Sequence, residues 1–314
     1  MSKVYVYHHN DHDGIVAAGI LRQYLHEVEK RDLEDLKFIM IDYSVALTFD
    51  HINFEERDKV YFLDYSFSSK FNKEEFKKLL ERRKVPRDVK WIDHHKTSIG
   101  LFEEYDIPGV RNTALCGAAW TYLYCEGMVE KMLTLDDISN AFHEAPNIPT
   151  FLKYIDDYDC WKGIYGDDTR KFHYGFNVSS PMAVVIRKLL KHDGNADFRV
   201  IEYIKNGEAI MEYNKFEDKN YHIDMYGFEF TLPEEHGGLK CFCINRKGNS
   251  LMFGDKINEY DAVIPFYYKG GMWTYSIYST KENIDCSEVA KSYGGGGHKG
   301  ASGWVSDKFI FSGV

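Results

Sequence analysis

Val4 and Val6 alternate with tyrosines at the period of a strand, and Ile15, Ala18, Leu21, Leu25 and Val28 then recur at helical spacing. Between them lies "HHNDHDG", a polar turn from a predicted strand into a predicted helix. Apolar strand-like runs return at Phe38–Ile41, Val60–Leu63 and Val89–Ile92, with a helical run at Phe71–Arg83. Such alternation predicts a doubly wound parallel sheet, in which ligands bind at the carboxyl ends of the strands. From 181 to 221 the pattern is mostly helical, and after Tyr226 short β-like runs such as "DAVIPFYY" and "MWTYSIYS" take over. The expected organisation is therefore an α/β domain over 1–180, a helical connector over 181–225 and a smaller α+β domain over 226–314. Substrate is expected in the cleft between the two domains, where pockets commonly form.

Histidine and aspartate gather where the predicted strands end. His9 and Asp11 follow the first strand, Asp64 closes "VYFLDYS", and Asp93, His94 and His95 close "VKWIDHHKT". An aspartate after a strand is ordinarily a turn former, but repetition at three strand tips points to a shared site. Asp11 and Asp13 repel each other within one turn unless a cation neutralises them, and His9 adds a nitrogen ligand. Asp13 also stands where a helix N-cap belongs, with Gly14 beside it for a tight turn. A fourth acidic group ends "IPTFLKYIDDYDCW", where Pro149 suits a first helical turn and Phe151, Leu152 and Ile155 form an apolar stripe. Asp157 is favoured to face the site, with Asp156 and Asp159 as alternates.

Composition narrows the partners. The chain has 314 residues, 44% of them hydrophobic, enough for a sizeable core and two domains. Its net charge of −10 argues against long duplex DNA, whereas small anions remain accessible through bound cations. No apolar run reaches the roughly eighteen residues of a membrane span, and the first ten residues lack a hydrophobic signal region, so a cytoplasmic protein without membrane contact is expected. Cysteines 116, 125, 160, 241, 243 and 286 form no CxxC pair and are expected as reduced thiols. Cys241 and Cys243 would share a strand face, but without partner ligands for zinc. The oligomeric state stays open, a homodimer included.

In order along the chain, HNDHDG (9–14), Asp64 in FLDYS, DHH (93–95) and the IDDYD cluster resemble the four motifs of the DHH phosphoesterase superfamily. "YGGGGHKGASG" (293–303) is similar to the GGGH signature of the DHHA1 domain that follows the DHH domain in one branch, and the first motif resembles the HNDxDG of its oligoribonuclease-like members, with His12 as the variable residue. The resemblance implies a DHH domain followed by a DHHA1-like domain. It implies one divalent ion on His9, Asp11 and Asp64, and a second on Asp13, Asp64, His94 and Asp157, so that Asp64 bridges. Two ions about 4 Å apart hold a hydroxide that attacks phosphorus. Carboxylate and imidazole ligands favour Mn²⁺, with Mg²⁺ or Co²⁺ as substitutes. His95 would face substrate, binding a phosphoryl oxygen or protonating the leaving group, while Asp93 orients an imidazole. Gly295, Gly296, Gly297 and His298 would hold substrate, and Arg246 is a further candidate anion contact.

The implied activity is a phosphodiesterase acting on short oligoribonucleotides, linear dinucleotides or 3′-phosphoadenosine 5′-phosphate. Two alternatives stand beside it. A phosphoanhydride hydrolase (pyrophosphatase or exopolyphosphatase) shares the DHH half, but that branch carries a different C-terminal domain. A non-catalytic nucleotide sensor is disfavoured by the intact set of ligand types.

Overall fold

The computed structural model describes residues 2–43, 47–49, 54–67, 69–82, 89–178, 186, 188–190, 196–220 and 223–311, and the chain divides into two compact units, Met1–Met211 and Glu212–Val314. The first unit runs β1 (Val4–His9), α1 (His12–Glu27), β2 (Leu36–Ile41), β3 (Lys59–Leu63), α2 (Lys70–Arg82), β4 (Val89–Asp93) and β5 (Gly109–Arg111). Helices α3 (Gly117–Cys125), α4 (Val129–Leu133), α5 (Ile138–Glu144), α6 (Thr150–Asp159) and α7 (Asp167–Asn177) follow. All neighbours in the sheet order β2-β1-β3-β4-β5 are parallel, as expected. The helical run at Phe71–Arg83 is realised as α2, and Arg83 lies outside the described residues.

Alternation along the strands explains why both faces are covered. Val4, Val6, Tyr61, Leu63 and Ile92 join one core with Leu21, Ala119, Phe151 and Phe172 from α1, α3, α6 and α7. Tyr5, Tyr7, Val60, Phe62 and Trp91 point the other way, onto Phe76, Leu79 and Leu80 of α2. Each large side chain so buried contributes about 1.5–3 kcal/mol. The order also matters for function. β2 lies on one side of β1 and β3 on the other, so a crevice opens at the carboxyl ends of β1 and β3. His8 pairs with Leu63 and Leu63 with Ile92, which makes His9, Asp64 and Asp93 level across three adjacent strands.

Helix α8 (Ala196–Asn220) crosses the division between the units. The expected boundary at 180/181 falls within 179–185, outside the described residues, as do 187, 191–195 and 221–222 of the expected connector. In the second unit a short α9 (Ile223–Tyr226) leads into β6 (Gly227–Thr231), β7 (Lys240–Asn245), β8 (Ala262–Lys269), β9 (Met272–Tyr278), α10 (Cys286–Ser292), β10 (Gly296–His298) and β11 (Ala301–Ser306). The sheet order is β10-β11-β9-β8-β7-β6, with β7 and β8 parallel and the other pairs antiparallel. Cys241 and Cys243 do share a strand face, where they pack as small apolar groups with Ile264, Tyr275 and Ala290. No helix of the described residues is long and apolar enough to cross a membrane.

Candidate active site

Three strand tips and one helix end deliver the polar side chains. Asp11, not Asp13, is the N-cap of α1, its Oδ1 accepting from the Gly14 N–H at 2.9 Å. Asp13 lies two residues on, in the first turn of α1, where its two oxygens accept the Gly117 and Ala118 N–H groups at 2.6 and 2.7 Å, at the start of α3. Asp64 follows β3 with φ +53, a left-handed backbone that costs a non-glycine residue about 1–3 kcal/mol. Gly117 is required beside it, because a Cβ there would stand 2.7 Å from the Asp64 Cβ.

Distances tie the cluster together. His9 Nδ1 lies 2.8 Å from Asp11 Oδ2 and 3.7 Å from Asp64 Oδ2. His94 Nε2 lies 3.2 Å from both Asp64 Oδ1 and Asp159 Oδ2, and 3.6 Å from Asp13 Oδ2. Yet both Asp64 oxygens, His9 Nδ1 and Asp159 Oδ2 are buried without a partner in hydrogen-bond geometry. Buried polar atoms are almost always hydrogen-bonded, so four such atoms converging on one region is a strong departure. Two possible ion-holding groups, His9–Asp11–Asp64 and Asp64–His94–His95, share Asp64, and a third joins His94, Asp159 and Cys160. The residues fit divalent cations, and oxygen and imidazole donors dominate.

Protonation reflects the same crowding. Burial lowers the His9 pKa, but Asp11 and Asp64 prevail and push it up to about 11. Burial likewise works against charge on His94, and Asp159 and Asp64 hold it well above the usual histidine value. Burial, opposed by His94 and reinforced by Asp64, pushes Asp159 up to about 7, while burial with Asp64 and Asp159 nearby raises Asp13. Asp64 itself stays well below the usual carboxylate range despite burial, because His9 and His94 face it. Protons here do the neutralising that a cation would do.

Of the α6 acids the structure brings Asp159 to His94, in place of the expected Asp157. Asp157 turns away: its Oδ1 accepts from the Ile164 N–H at 2.7 Å, and its Oδ2 from the Tyr165 N–H at 3.2 Å and the Thr169 hydroxyl. Residues two apart on a helix point to nearly opposite sides, so only one of the pair can reach the strand tips. Asp156 is occupied as well, by His143 Nε2 at 2.7 Å, Lys162 Nζ at 2.5 Å and the Cys116 N–H at 2.7 Å.

No family model matches the chain. It is 24% identical over 325 residues to oligoribonuclease NrnB of Bacillus subtilis (strain 168), an alignment spanning 95% of this chain and 72% of that protein. Among solved structures, the DHH domain of a protein assigned to a family of ribosomal proteins superposes with a TM-score of 0.54, covering 97% of this chain and 82% of that one at 17% identity. RecJ in complex with Mn²⁺ from Thermus thermophilus gives 0.51, covering 97% and 49% at 16% identity. The chain shares the fold of DHH-domain proteins.

Around the cluster, further groups are arranged. Asp93 Oδ1 lies 2.8 Å from His95 Nδ1, and its Oδ2 accepts from the Ser98 hydroxyl, so His95 is oriented through Nδ1. Burial lowers the His95 pKa, but Asp93 more than offsets it and the net shift is upward. His12 points instead to α7, its Nδ1 3.0 Å from His173 Nδ1. Sequence reasoning missed Tyr43, which is 43% exposed with its ring stacked on Tyr65 at 4.7 Å and 4.9 Å from His9. Nothing in the local pattern marks it.

The glycine-rich segment forms an edge hairpin of the second unit. Gly296 pairs with Gly303 and His298 with Ala301 across β10 and β11. Gly297 has φ +142 and a Cβ would lie 2.7 Å from Ser302 Oγ, and at Gly295 one would meet the Gly303 carbonyl oxygen at 2.1 Å. Those two glycines serve the hairpin itself, whereas a Cβ at Gly296 would meet open space, leaving that backbone approachable. The register separates Arg246 from this segment. It follows β7, four strands from β10 and beyond the level of His298, which aligns through Ala301, Tyr278 and Val263 with Phe242. At about 4.8 Å per strand, Arg246 lies on the order of 20 Å from the hairpin and does not join it in one contact.

Proposed function

We propose that the protein is a two-metal phosphodiesterase that hydrolyses short oligoribonucleotides or linear dinucleotides, with Mn²⁺ as its working ion, in the cytoplasm. One observation carries this reading: Asp64 belongs to two ligand groups while both of its buried oxygens lack a hydrogen-bond donor. In the assignment we favour, His9, Asp11 and Asp64 hold one ion, and Asp64, His94 and Asp159 hold the other, with Asp13 beside them.

When bound, a pair of divalent ions supplies an activated water and neutralises charge on the attacked phosphoryl group. The chain's own residues do the rest. Asp93 holds the Nδ1 proton of His95 and favours its doubly protonated form, in which Nε2 also carries a proton that can pass to a phosphoryl or leaving oxygen. Tyr43 offers half-exposed ring surface on which a base can stack. Gly296 and His298 are the substrate-binding candidates of the second unit. The net charge of −10 favours short substrates over long polyanions, and the similarity to an oligoribonuclease supports RNA. A reducing compartment suits six free thiols.

The test is a substrate panel with Mn²⁺: RNA of two to five nucleotides, 3′-phosphoadenosine 5′-phosphate, pyrophosphate and polyphosphate. Turnover of the short RNAs is expected. Hydrolysis of the phosphoanhydrides alone would establish the pyrophosphatase alternative, and tight binding of nucleotides without turnover would indicate a sensor.

A further inference from the structure

Cys160 follows α6 and sits between two polar groups of opposite character. Its Sγ is 3.6 Å from Asp156 Oδ1 on one side and 3.9 Å from His94 Nδ1 on the other. Asp156 also meets Lys162 Nζ at 2.5 Å, His143 Nε2 at 2.7 Å and the Cys116 N–H at 2.7 Å. A carboxylate ringed by donors, one of them an ammonium, is ionised and can only accept. The single thiol proton therefore goes to Asp156, which leaves sulfur lone pairs facing His94. For that contact to be a hydrogen bond, His94 must carry its proton on Nδ1. Its Nε2, 3.2 Å from both Asp64 and Asp159, is then the nitrogen that would offer a lone pair once an ion replaces the proton shared with those carboxylates.

We propose that Cys160 is a positioning residue for the metal centre, relaying the fixed charge of Asp156 to His94 and setting the tautomer that turns Nε2 toward the ion. Metal-bound histidines are usually oriented by a carboxylate, a carbonyl or water, and such partners govern affinity by about 10–100-fold. Here a thiol takes that place, and the carboxylate acts one bond further back. The relay joins β4, α6 and, through His143 and Lys162, α5 and the segment after α6. It rests on the reading of His94 as a metal ligand, and adds to it which residue makes His94 one.

Isothermal titration of Mn²⁺ into wild type, Cys160→Ala and Cys160→Ser tests the relay, with thermal melts alongside. Alanine is expected to weaken one of two binding events by about 10–100-fold with little change in the melt. Serine, which both donates and accepts, is expected to recover part of that loss. Wild-type affinity in Cys160→Ala, or no recovery in Cys160→Ser, would overturn the proposal. The Co²⁺-loaded wild-type protein offers a check that needs no variant. Absence of a thiolate-to-cobalt charge-transfer band is expected, whereas such a band would make Cys160 a ligand rather than a positioning residue. If wild type binds no divalent ion, the metal-centre reading fails together with this one; if wild type binds two and Cys160→Ala matches it, only the relay fails.

Discussion

Two sets of buried carboxylates lie in the first unit, and they differ in what meets their oxygens. Asp156 and Asp157, within α6, accept from backbone N–H groups, a histidine, a lysine and a hydroxyl until each oxygen has a donor. Asp64, at a strand tip, is equally enclosed and Asp159, at the end of the same helix, is 22% exposed, yet three of their four oxygens are buried and lack a hydrogen-bond donor. Satisfied carboxylates anchor segments of the fold, here α6 to the stretch from Ile164 to Thr169. Carboxylates left without donors in a protein interior are costly, and are retained where something outside the chain completes them.

The largest effect is expected at the centre of the second set. Asp64→Asn, which tolerates the same left-handed backbone, should lower turnover by about 10⁴-fold or more, since several kcal/mol of transition-state stabilisation is lost with the ions. Steady-state assays on dinucleotide RNA check this. Next comes His95→Gln, with an expected loss of about 10² to 10⁴-fold in kcat while two ions remain bound, as removal of a general acid requires. Loss of metal with His95→Gln would move that histidine into the ligand set.

The sharpest contrast lies within α6. Asp157→Asn should cost about 1.5–3 kcal/mol of stability, through hydrogen bonds to a charged group, and leave metal stoichiometry intact. Asp159→Asn should do the reverse, with an unchanged or higher melting temperature and weakened metal binding. Asp156 adds a pH signature. Burial raises its pKa, but His143 and Lys162 bring it below the ordinary value of 3.8. Its stabilising contribution is thus complete above that value and is lost as pH falls through the lower folded value. Acid unfolding of Asp156→Asn should accordingly be less steep than that of wild type. Smallest is the effect in the second unit: His298→Ala should weaken cleavage of short RNA about tenfold, the loss of one hydrogen bond to a charged group, and spare a small chromogenic phosphodiester. Equal losses on both substrates would remove the hairpin from substrate binding.

The same contrast explains what the sequence could reveal. Strand tips are legible because the strand-like runs end sharply at His9, Asp64 and Asp93, and a parallel sheet brings neighbouring ends together. The choice among Asp156, Asp157 and Asp159 was not legible, since their donors come from Cys116, His143 and Ile164 to Thr169, and only packing decides which oxygen they reach. The exchange of Asp11 for Asp13 as helix cap has a similar origin, because the start of α3 captures Asp13 from more than a hundred residues away. Gly117 and Tyr43 carry no local signal, and the separation of Arg246 from the glycine segment is set by the register of the second sheet.

The most direct test of the shared carboxylate is electron paramagnetic resonance of the protein titrated with Mn²⁺. Two ions bridged by Asp64 should give an exchange-coupled pair in wild type, and that signal should be lost in Asp64→Asn. A wild-type spectrum of isolated ions, or a coupled pair that survives in Asp64→Asn at unchanged affinity, would contradict the account.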